Sequence, residues 1–397
     1  MRIRSPVGVA AVVMASTVPG ACGHGAVTEP TPPTLEVAPA TLPAIPALGT
    51  ESSLDVGTWN LEWFGSRTDG PSPEGRQLDN VWTVMDAVEV DLWAVQEVAR
   101  DAHFHDLVEQ LEGFDGVLVS DPSVAGGDGF PGNLKLGLVY RATGVTVDSA
   151  RVVLREHEND FAGRPPLEVH LTAGDGDTPT PLVVLVIHAK AGVDSDDRSR
   201  RLRGADALKA YLDTTYPDAR VLVIGDFNDD VDTSIVAGMA SPYRNFVDDA
   251  AYGFPTAALS DAGASSTVAY PDMIDHHLAS DELLASYIAG TAAVVPAGSW
   301  LTAYGESTSD HYPVIARYAP PGAAVGSSTG DLAHVELRWT GITAAEVDVY
   351  RDGTPLVTTA NDGRFIDSVA LPAGARYQIC EPNTAVCTPE ATVSEGI

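Results

Sequence analysis

Residues 223–228 read Val223-Ile224-Gly225-Asp226-Phe227-Asn228, "VIGDFN". The wider run "RVLVIGDFN" (220–228) carries an apolar stretch straight into an Asp and an Asn separated by one aromatic residue. A short apolar run of this kind reads as a buried strand. Its polar end has two explanations. Asp and Asn commonly make turns and caps at strand ends; alternatively, they form a reactive pair held at the mouth of a sheet. The choice turns on whether other apolar runs in the chain end the same way.

They do. "VGTW" leads to Asn60, "LWAVQ" to Glu97 and "VVLVI" to His188, while Asp310-His311 lie in "STSDHYPV". Singly, each has a plain explanation as a turn residue, a helix cap or a satisfied core histidine. Together they suit one site at a sheet mouth. Between these runs, "EGRQLDNVWTVMDAVEV" spaces Val81, Val84, Met85 and Val88 on one helical face, and "SRRLRGADALKAYLDTTY" also reads as helix. Strands alternating with helices and long loops place an α/β domain over residues 52–319.

Outside that domain the composition changes. "PPGAAVGSSTG" (320–330) reads as a linker. Residues 331–397 carry short alternating runs around Trp339, Tyr350 and Tyr377, with turn signals at Asp352-Gly353 and Asp362-Gly363, which predict a small all-β sandwich. At the other end, Arg2 and Arg4 precede an apolar core of about a dozen residues, too short to span a membrane. Residues 1–22 therefore read as an export signal, and Gly20-Ala21-Cys22 resembles a bacterial lipoprotein cleavage site, with Cys22 as the lipidated residue. Residues 23–51, rich in Pro, Ala and Thr, read as a tether. With Cys22 lipidated, Cys380 and Cys387 remain as an even pair in an oxidising compartment, and "CEPNTAVC" offers too few ligands for a metal, so the expectation is a disulfide.

Composition is that of a globular chain, 44% hydrophobic and 20% charged. Fifty-five acidic residues against 23 basic ones give a formal charge of −32. That balance excludes non-specific electrostatic binding to nucleic acid or anionic membrane as the main activity. A phosphate-bearing substrate stays compatible with it, because divalent cations bridge carboxylates to phosphates.

The chemistry that the strand-end residues suit is metal-assisted hydrolysis of a phosphate ester. Glu97, Asp310, Asn60 and Asp226 offer oxygen ligands to a hard cation, and a histidine near neutrality handles the proton of the attacking water. The ordered set "TWNLEW", "QEV", "IHAK", "GDFN", "IDHHLAS", "SDHYPV" resembles the endonuclease/exonuclease/phosphatase superfamily across nearly all of residues 52–319. The resemblance implies a four-layer α/β sandwich, two mixed β-sheets packed face to face and flanked by helices, with the site at one edge. It further implies that Glu97 is the principal ligand of Mg²⁺ (Mn²⁺ or Ca²⁺ being alternatives), helped by Asn60 and Asp310. Asp226 and Asn228 would position the water and contact the phosphate. His311 would be the general base or acid, oriented by Asp275, and His188 matches the second histidine of the deoxyribonuclease and sphingomyelinase branches. Lys190 and Arg201, in a run similar to bacterial extracellular nucleases, would grip the substrate. The pattern "LRWTG…VDVYRDG…RYQIC" resembles a fibronectin type III module.

These readings support three functions. The first is an exported nuclease acting on DNA or RNA. The second is a phosphodiesterase or phosphatase for lipids or small phosphates, such as sphingomyelin or inositol phosphates. The third is an inactive surface-binding protein. In each, membrane contact runs only through a lipid on Cys22, and the C-terminal module is free to bind a surface ligand.

Overall fold

A computed structural model describes residues 43–319, apart from 51–52, 128–129, 131–133 and 175–179, together with most of the strands and a few connections between 325 and 392. The segments expected as export signal (with Cys22) and most of the expected tether lie outside the described residues. In chain order, β1 (Leu54–Phe64), β2 (Leu92–Val98), β3 (Phe114–Leu118) and β4 (Lys135–Arg141) belong to one sheet. A second sheet takes β5 (Val145–Val152), β6 (Leu167–Ala173), β7 (Thr180–His188), β8 (Val221–Asp226), β9 (Tyr252–Gly253) and β10 (Asp275–Ser280). The chain then returns to the first sheet with β11 (Ala293–Val294) and β12 (Val314–Tyr318). The strand orders are β11-β12-β1-β2-β4-β3 and β5-β6-β7-β8-β10-β9. Each sheet is mixed: β1 runs parallel to β2 and β7 parallel to β8, and the remaining neighbours are antiparallel.

Alternation along the strands explains the layering. On β7, Leu182, Val184 and Val186 enter the core between the sheets, while Val183, Leu185 and Ile187 face helix α3 (Ser195–Thr215). On β8, Leu222 and Ile224 go inward and Val221 and Val223 outward. Val56, Leu92, Ala94 and Leu138 of the first sheet meet them from the other side, and Trp59, Trp93 and Val95 pack outward. That outer face is covered by α1 (Glu74–Val88) and α2 (Asp101–Gln110), through Val81, Val84, Met85, Val88, Phe104 and Leu107. Two-sided burial is why the strands read as unbroken apolar runs rather than as alternating ones. The four-layer sandwich expected from the sequence is the observed fold.

Two boundaries differ from the sequence reading. Residues 43–50, expected as the end of the tether, lie on the domain: Leu48 and Gly49 donate backbone hydrogen bonds of 2.9 and 2.8 Å to Val88, and Ile45 and Leu48 pack against the α1 face. A few apolar side chains suffice to anchor a Pro/Ala-rich stretch that composition alone assigns to a linker. Likewise Val325–Ser328, inside the expected linker, form strand β13, paired with β14 (His334–Arg338).

The C-terminal segment continues with β15 (Glu346–Arg351), β16 (Thr354–Ala360), β17 (Arg364–Ser368), β18 (Arg376–Cys380) and β19 (Ala391–Thr392). They form two small antiparallel sheets, β13-β14-β17 and β16-β15-β18-β19, around Val335, Leu337, Trp339, Val347, Val349, Tyr377 and Ile379. Asp352 and Gly353 take positive φ in the two-residue β15–β16 hairpin, as that turn requires. Cys380 and Cys387 form a disulfide. Among the described residues, no helix is long and apolar enough to cross a membrane.

Candidate active site

The inter-sheet rows end on the polar residues. Strand periodicity of two carries Leu222 and Ile224 on to Asp226, Val184 and Val186 on to His188, and Val56 and Thr58 on to Asn60. Strand β10 runs antiparallel to β8, so its first residue, Asp275, pairs with the last of β8, Asp226. Glu97 does not follow this rule. As the odd neighbour of Trp93 and Val95 it belongs to the helix-facing row, but the register of β2 shifts between Val95 and Val98, and Glu97 takes φ +61°. A matching irregularity in β1 between Asn60 and Phe64 puts Glu62 and Trp63 at φ +48° and +52°. Asn228 adds a fourth residue in the left-handed region, at +53°. Non-glycine residues rarely adopt this conformation, and strain of this kind concentrates at functional sites. Gly225, at φ +147°, is the one position here that must be glycine, since a Cβ would lie 2.0 Å from the Ile187 carbonyl oxygen.

Hydrogen bonds join these residues into one network. Asn60 Nδ2 donates to Asp226 Oδ2 at 3.0 Å and to Glu97 Oε1 at 3.3 Å, while its Oδ1 accepts the Glu62 amide at 3.0 Å. Glu97 Oε2 accepts the Trp63 amide at 3.1 Å. Asp226 Oδ1 accepts the Asn228 amide at 2.8 Å, and Asn228 Nδ2 donates to the Ala189 carbonyl at 3.2 Å. His188 Nε2 lies 3.4 Å from Asp226 Oδ2 and 3.7 Å from Glu97 Oε1. His311 Nδ1 is 2.8 Å from Asp275 Oδ2, which also accepts from Ser266 Oγ at 2.7 Å. The other ring nitrogen of His311 lies 3.8 Å from Asp226 Oδ2 and 3.9 Å from Asp310 Oδ1. The sequence-expected Asn60, Glu97, His188, Asp226, Asn228, Asp275, Asp310 and His311 therefore come together.

Burial and charge set the protonation states. Burial pushes the Asp226 carboxyl up to about 7, with His311 opposing and Asp275 reinforcing. His188 is held well below its ordinary value, by burial first and then by Arg164 and His311, so it is neutral. In His311 burial disfavours the imidazolium, but Asp275 and Asp226 outweigh it and hold the group well above the ordinary histidine value. The two histidines of one site are thus driven apart, one neutral and one charged.

Two further members were not found by sequence reasoning. Glu62 is half-buried, with a carboxyl pushed up to about 7 by burial and by Asp310; its Oε2 is buried without a hydrogen-bond partner among the described residues. Arg164, at the start of the loop into β6, donates to the His188 and Ala189 carbonyls at 3.3 and 2.9 Å, and its charge acts on Glu97 and Asp226. "TWNLEW" displays Glu62 two residues after Asn60, a spacing that puts both near one strand end. Nothing local marks Arg164.

Two expectations need correction. Arg201 is fully buried rather than facing substrate: Nε pairs with Asp229 Oδ2 at 2.8 Å, and Nη1 donates to the Lys190 and Gly192 carbonyls at 2.7 and 2.8 Å. It ties the β7 and β8 loops together. Lys190 is turned to the first turn of α3, where Asp197 holds its Nζ at 2.8 Å. Asn60, expected to help at the metal, accepts the Glu62 amide at Oδ1 and bridges Asp226 and Glu97 through Nδ2.

The donor set fits a hard divalent cation. Glu97, Glu62 and Asp310 offer carboxylate oxygens, one of them buried and unpartnered. Asp226, Asp275 and His311 also bring one ligand atom each within 4.8 Å of one another, although the short His311–Asp275 bond already links two of them. Five carboxylates against Arg164 and His311 leave the site strongly negative.

The model of the Endonuclease/Exonuclease/phosphatase family matches residues 57–311. No curated protein matches the chain significantly in sequence. Among solved structures, an endonuclease/exonuclease/phosphatase from Beutenbergia cavernae is similar at 18% identity and TM-score 0.49, covering 86% of this chain and 100% of its own. A humanized D. rerio TDP2 is similar at 14% identity and TM-score 0.49, covering 68% of this chain and 100% of its own. The human Nocturnin catalytic domain with bound sulfate is similar at 16% identity and TM-score 0.45, covering 68% and 94%.

Proposed function

The chain belongs to the endonuclease/exonuclease/phosphatase family, and from that premise we propose that it is a divalent-cation-dependent phosphodiester hydrolase acting on nucleic acid. The observation that carries the reading is the meeting, at one sheet edge, of a His311–Asp275 pair, an Asp226 carboxyl pushed up to about 7 and an acidic cluster in which Glu62 Oε2 is buried without a partner. A phosphodiester does not approach so negative a site unaided, because like charges at contact distance repel strongly where water is excluded. Glu97, Glu62 and Asp310 would hold a divalent cation, which when bound would supply charge neutralisation at the phosphoryl oxygens.

The remaining work falls to the chain's own groups. Asp226, fixed by the Asn228 amide and Asn60, takes a proton from the attacking water. Asn228 contacts a phosphoryl oxygen, while Arg164, bonded to the His188 and Ala189 carbonyls, fixes the end of β7 and offsets part of the negative charge. The water oxygen bonds to phosphorus, the ester oxygen departs, and His311 gives it the Nε2 proton. Asp275 keeps the ring oriented and charged, which makes acid rather than base the role that the electrostatics favour for His311. Neutral His188 completes the wall beside Asp226 and Glu97.

A substrate panel tests this: supercoiled plasmid, single-stranded DNA, RNA, sphingomyelin and inositol phosphates, each with Mg²⁺, Mn²⁺ or Ca²⁺ and a His311→Ala control. The reading expects plasmid nicking that EDTA and His311→Ala both abolish. No cleavage of DNA or RNA with any of the three ions overturns it. Release of choline or phosphate from the small substrates alone supports the second reading, a lipid or small-phosphate hydrolase, which the −32 charge favours. The same proposal includes export, a lipid on Cys22, and a fibronectin type III-like C-terminal module. Palmitate labelling of the wild type, absent in Cys22→Ser, tests the anchor.

A further inference from the structure

The apolar face of α1 has one polar member. Gln77 stands four residues before Val81, in line with Val84, Met85 and Val88, and it is fully buried. An aliphatic residue would fill such a position without the cost of burying an amide. What Gln77 supplies is hydrogen bonds to backbone that has left its ladder. Its two Nε2 protons are shared among the carbonyls of Leu61, Glu62 and Thr308 at 2.7, 2.8 and 3.2 Å, and its Oε1 accepts the Gly65 amide at 3.1 Å. The first two carbonyls and the Gly65 amide belong to the irregular end of β1, where buried backbone groups need partners from elsewhere.

That backbone carries the acidic cluster. Glu62 sits in it, and the Trp63 amide holds Glu97 Oε2 at 3.1 Å. The third carbonyl, of Thr308, belongs to the segment that delivers Asp310. Asn80, three residues on from Gln77, holds the same segment through Ser307 O, Ser307 Oγ and Thr308 Oγ1 at 3.2, 3.1 and 2.9 Å. Ser309 Oγ then closes the ring by donating to the Asn60 carbonyl at 2.6 Å. Helix α1 therefore clamps together the end of β1, which carries Glu62 and holds Glu97 of β2 through the Trp63 amide, and the segment that carries Asp310.

We infer that Gln77, backed by Asn80, is a positioning residue that sets the spacing of Glu62, Glu97 and Asp310 and so the affinity of the chain for a divalent cation. The inference rests on the reading of these carboxylates as the cation site. Direct binding of Mn²⁺, followed by electron paramagnetic resonance without substrate, separates the two. Wild type, Glu97→Gln, Gln77→Met and Asn80→Ala are compared below the unfolding temperature of the least stable variant. The expected result is binding by wild type, loss in Glu97→Gln, and a dissociation constant raised about tenfold or more in Gln77→Met and less in Asn80→Ala. A purely structural role lowers stability but leaves the dissociation constant of the folded protein unmoved. Should wild type bind and both clamp variants match it within about twofold, the inference fails while the cation site stands. Absence of Mn²⁺ binding by wild type overturns both. Asn80→Ala, which removes contacts at the half-buried end only, keeps the test decisive if Gln77→Met does not fold.

Discussion

His311 owes its charge to its neighbours. Burial alone would discharge it, as it does His188, whose Nε2 faces the same Asp226. The difference is Asp275, 2.8 Å from Nδ1, which favours the imidazolium and fixes the ring. Replacing Asp275 by Asn removes that charge and keeps the shape. If His311 acts as the acid, activity is lost as pH rises through its value, and lowering that value moves the alkaline limb of the kcat/KM profile to lower pH. Asp275→Asn is therefore expected to shift that limb downward and to reduce kcat about 10²-fold. An alkaline limb that stays where it was assigns it to another group.

At the scale of elements, the site exists because strands of two sheets stop together and because two of them are irregular. The meeting of β7 and β8 depends on Gly225, where a side chain would strike the Ile187 carbonyl. Gly225→Ala is expected to cost about 3 kcal/mol in denaturant unfolding, and a loss under about 0.5 kcal/mol contradicts the close approach. The regular part of this architecture was legible in the sequence. Apolar runs ending at Asn60, His188 and Asp226 are local patterns, and period two projects them correctly. The irregular part was legible only in places. Glu97 showed as a strand-end residue, but not the register shift that brings it to the site; Arg164 arrives from a loop remote in sequence, and the amide of Gln77 occupies what reads as an ordinary core position. Arg201 misled for the same reason. A basic residue on a helix displays no local sign that Asp229, 28 residues away, buries it. The Pro/Ala-rich stretch hid Ile45 and Leu48 in the same way, since composition registers the average and docking needs only a few side chains.

For the whole molecule, acid stability follows from histidines that fold neutral. His277, stacked on Tyr318 and lying 3.3 Å from both the Tyr318 hydroxyl and the Val314 carbonyl, is pulled down to about 3 by burial. Between the ordinary value of 6.5 and about 3 the unfolded chain holds a proton that the folded chain does not, so stability falls as pH drops below 6.5. His277→Gln keeps a donor and an acceptor without the titration. Between pH 7.5 and 5.0 the wild type is expected to lose about 2 kcal/mol more unfolding free energy than the variant. Equal losses in urea titrations would show that this imidazole is charged in the folded chain. The carboxyl of Asp55 opposes this trend. Burial pushes it up to about 7, so the folded chain gains on the unfolded one as it protonates, and the histidine contribution is read by the difference between variants rather than from the wild type alone.

The central proposal is that the sheet edge hydrolyses phosphodiesters with a cation and a charged His311. Hydrolysis of the dinucleotide TpT, a diester whose alkoxide leaving group needs a proton and which brings no macromolecular recognition to confuse the result, measures it directly. Wild type with Mg²⁺ or Mn²⁺ is expected to release thymidine, EDTA to stop it, and His311→Asn to lower the rate about 10³-fold. Turnover that survives EDTA, or a His311→Asn variant as fast as wild type, contradicts the account.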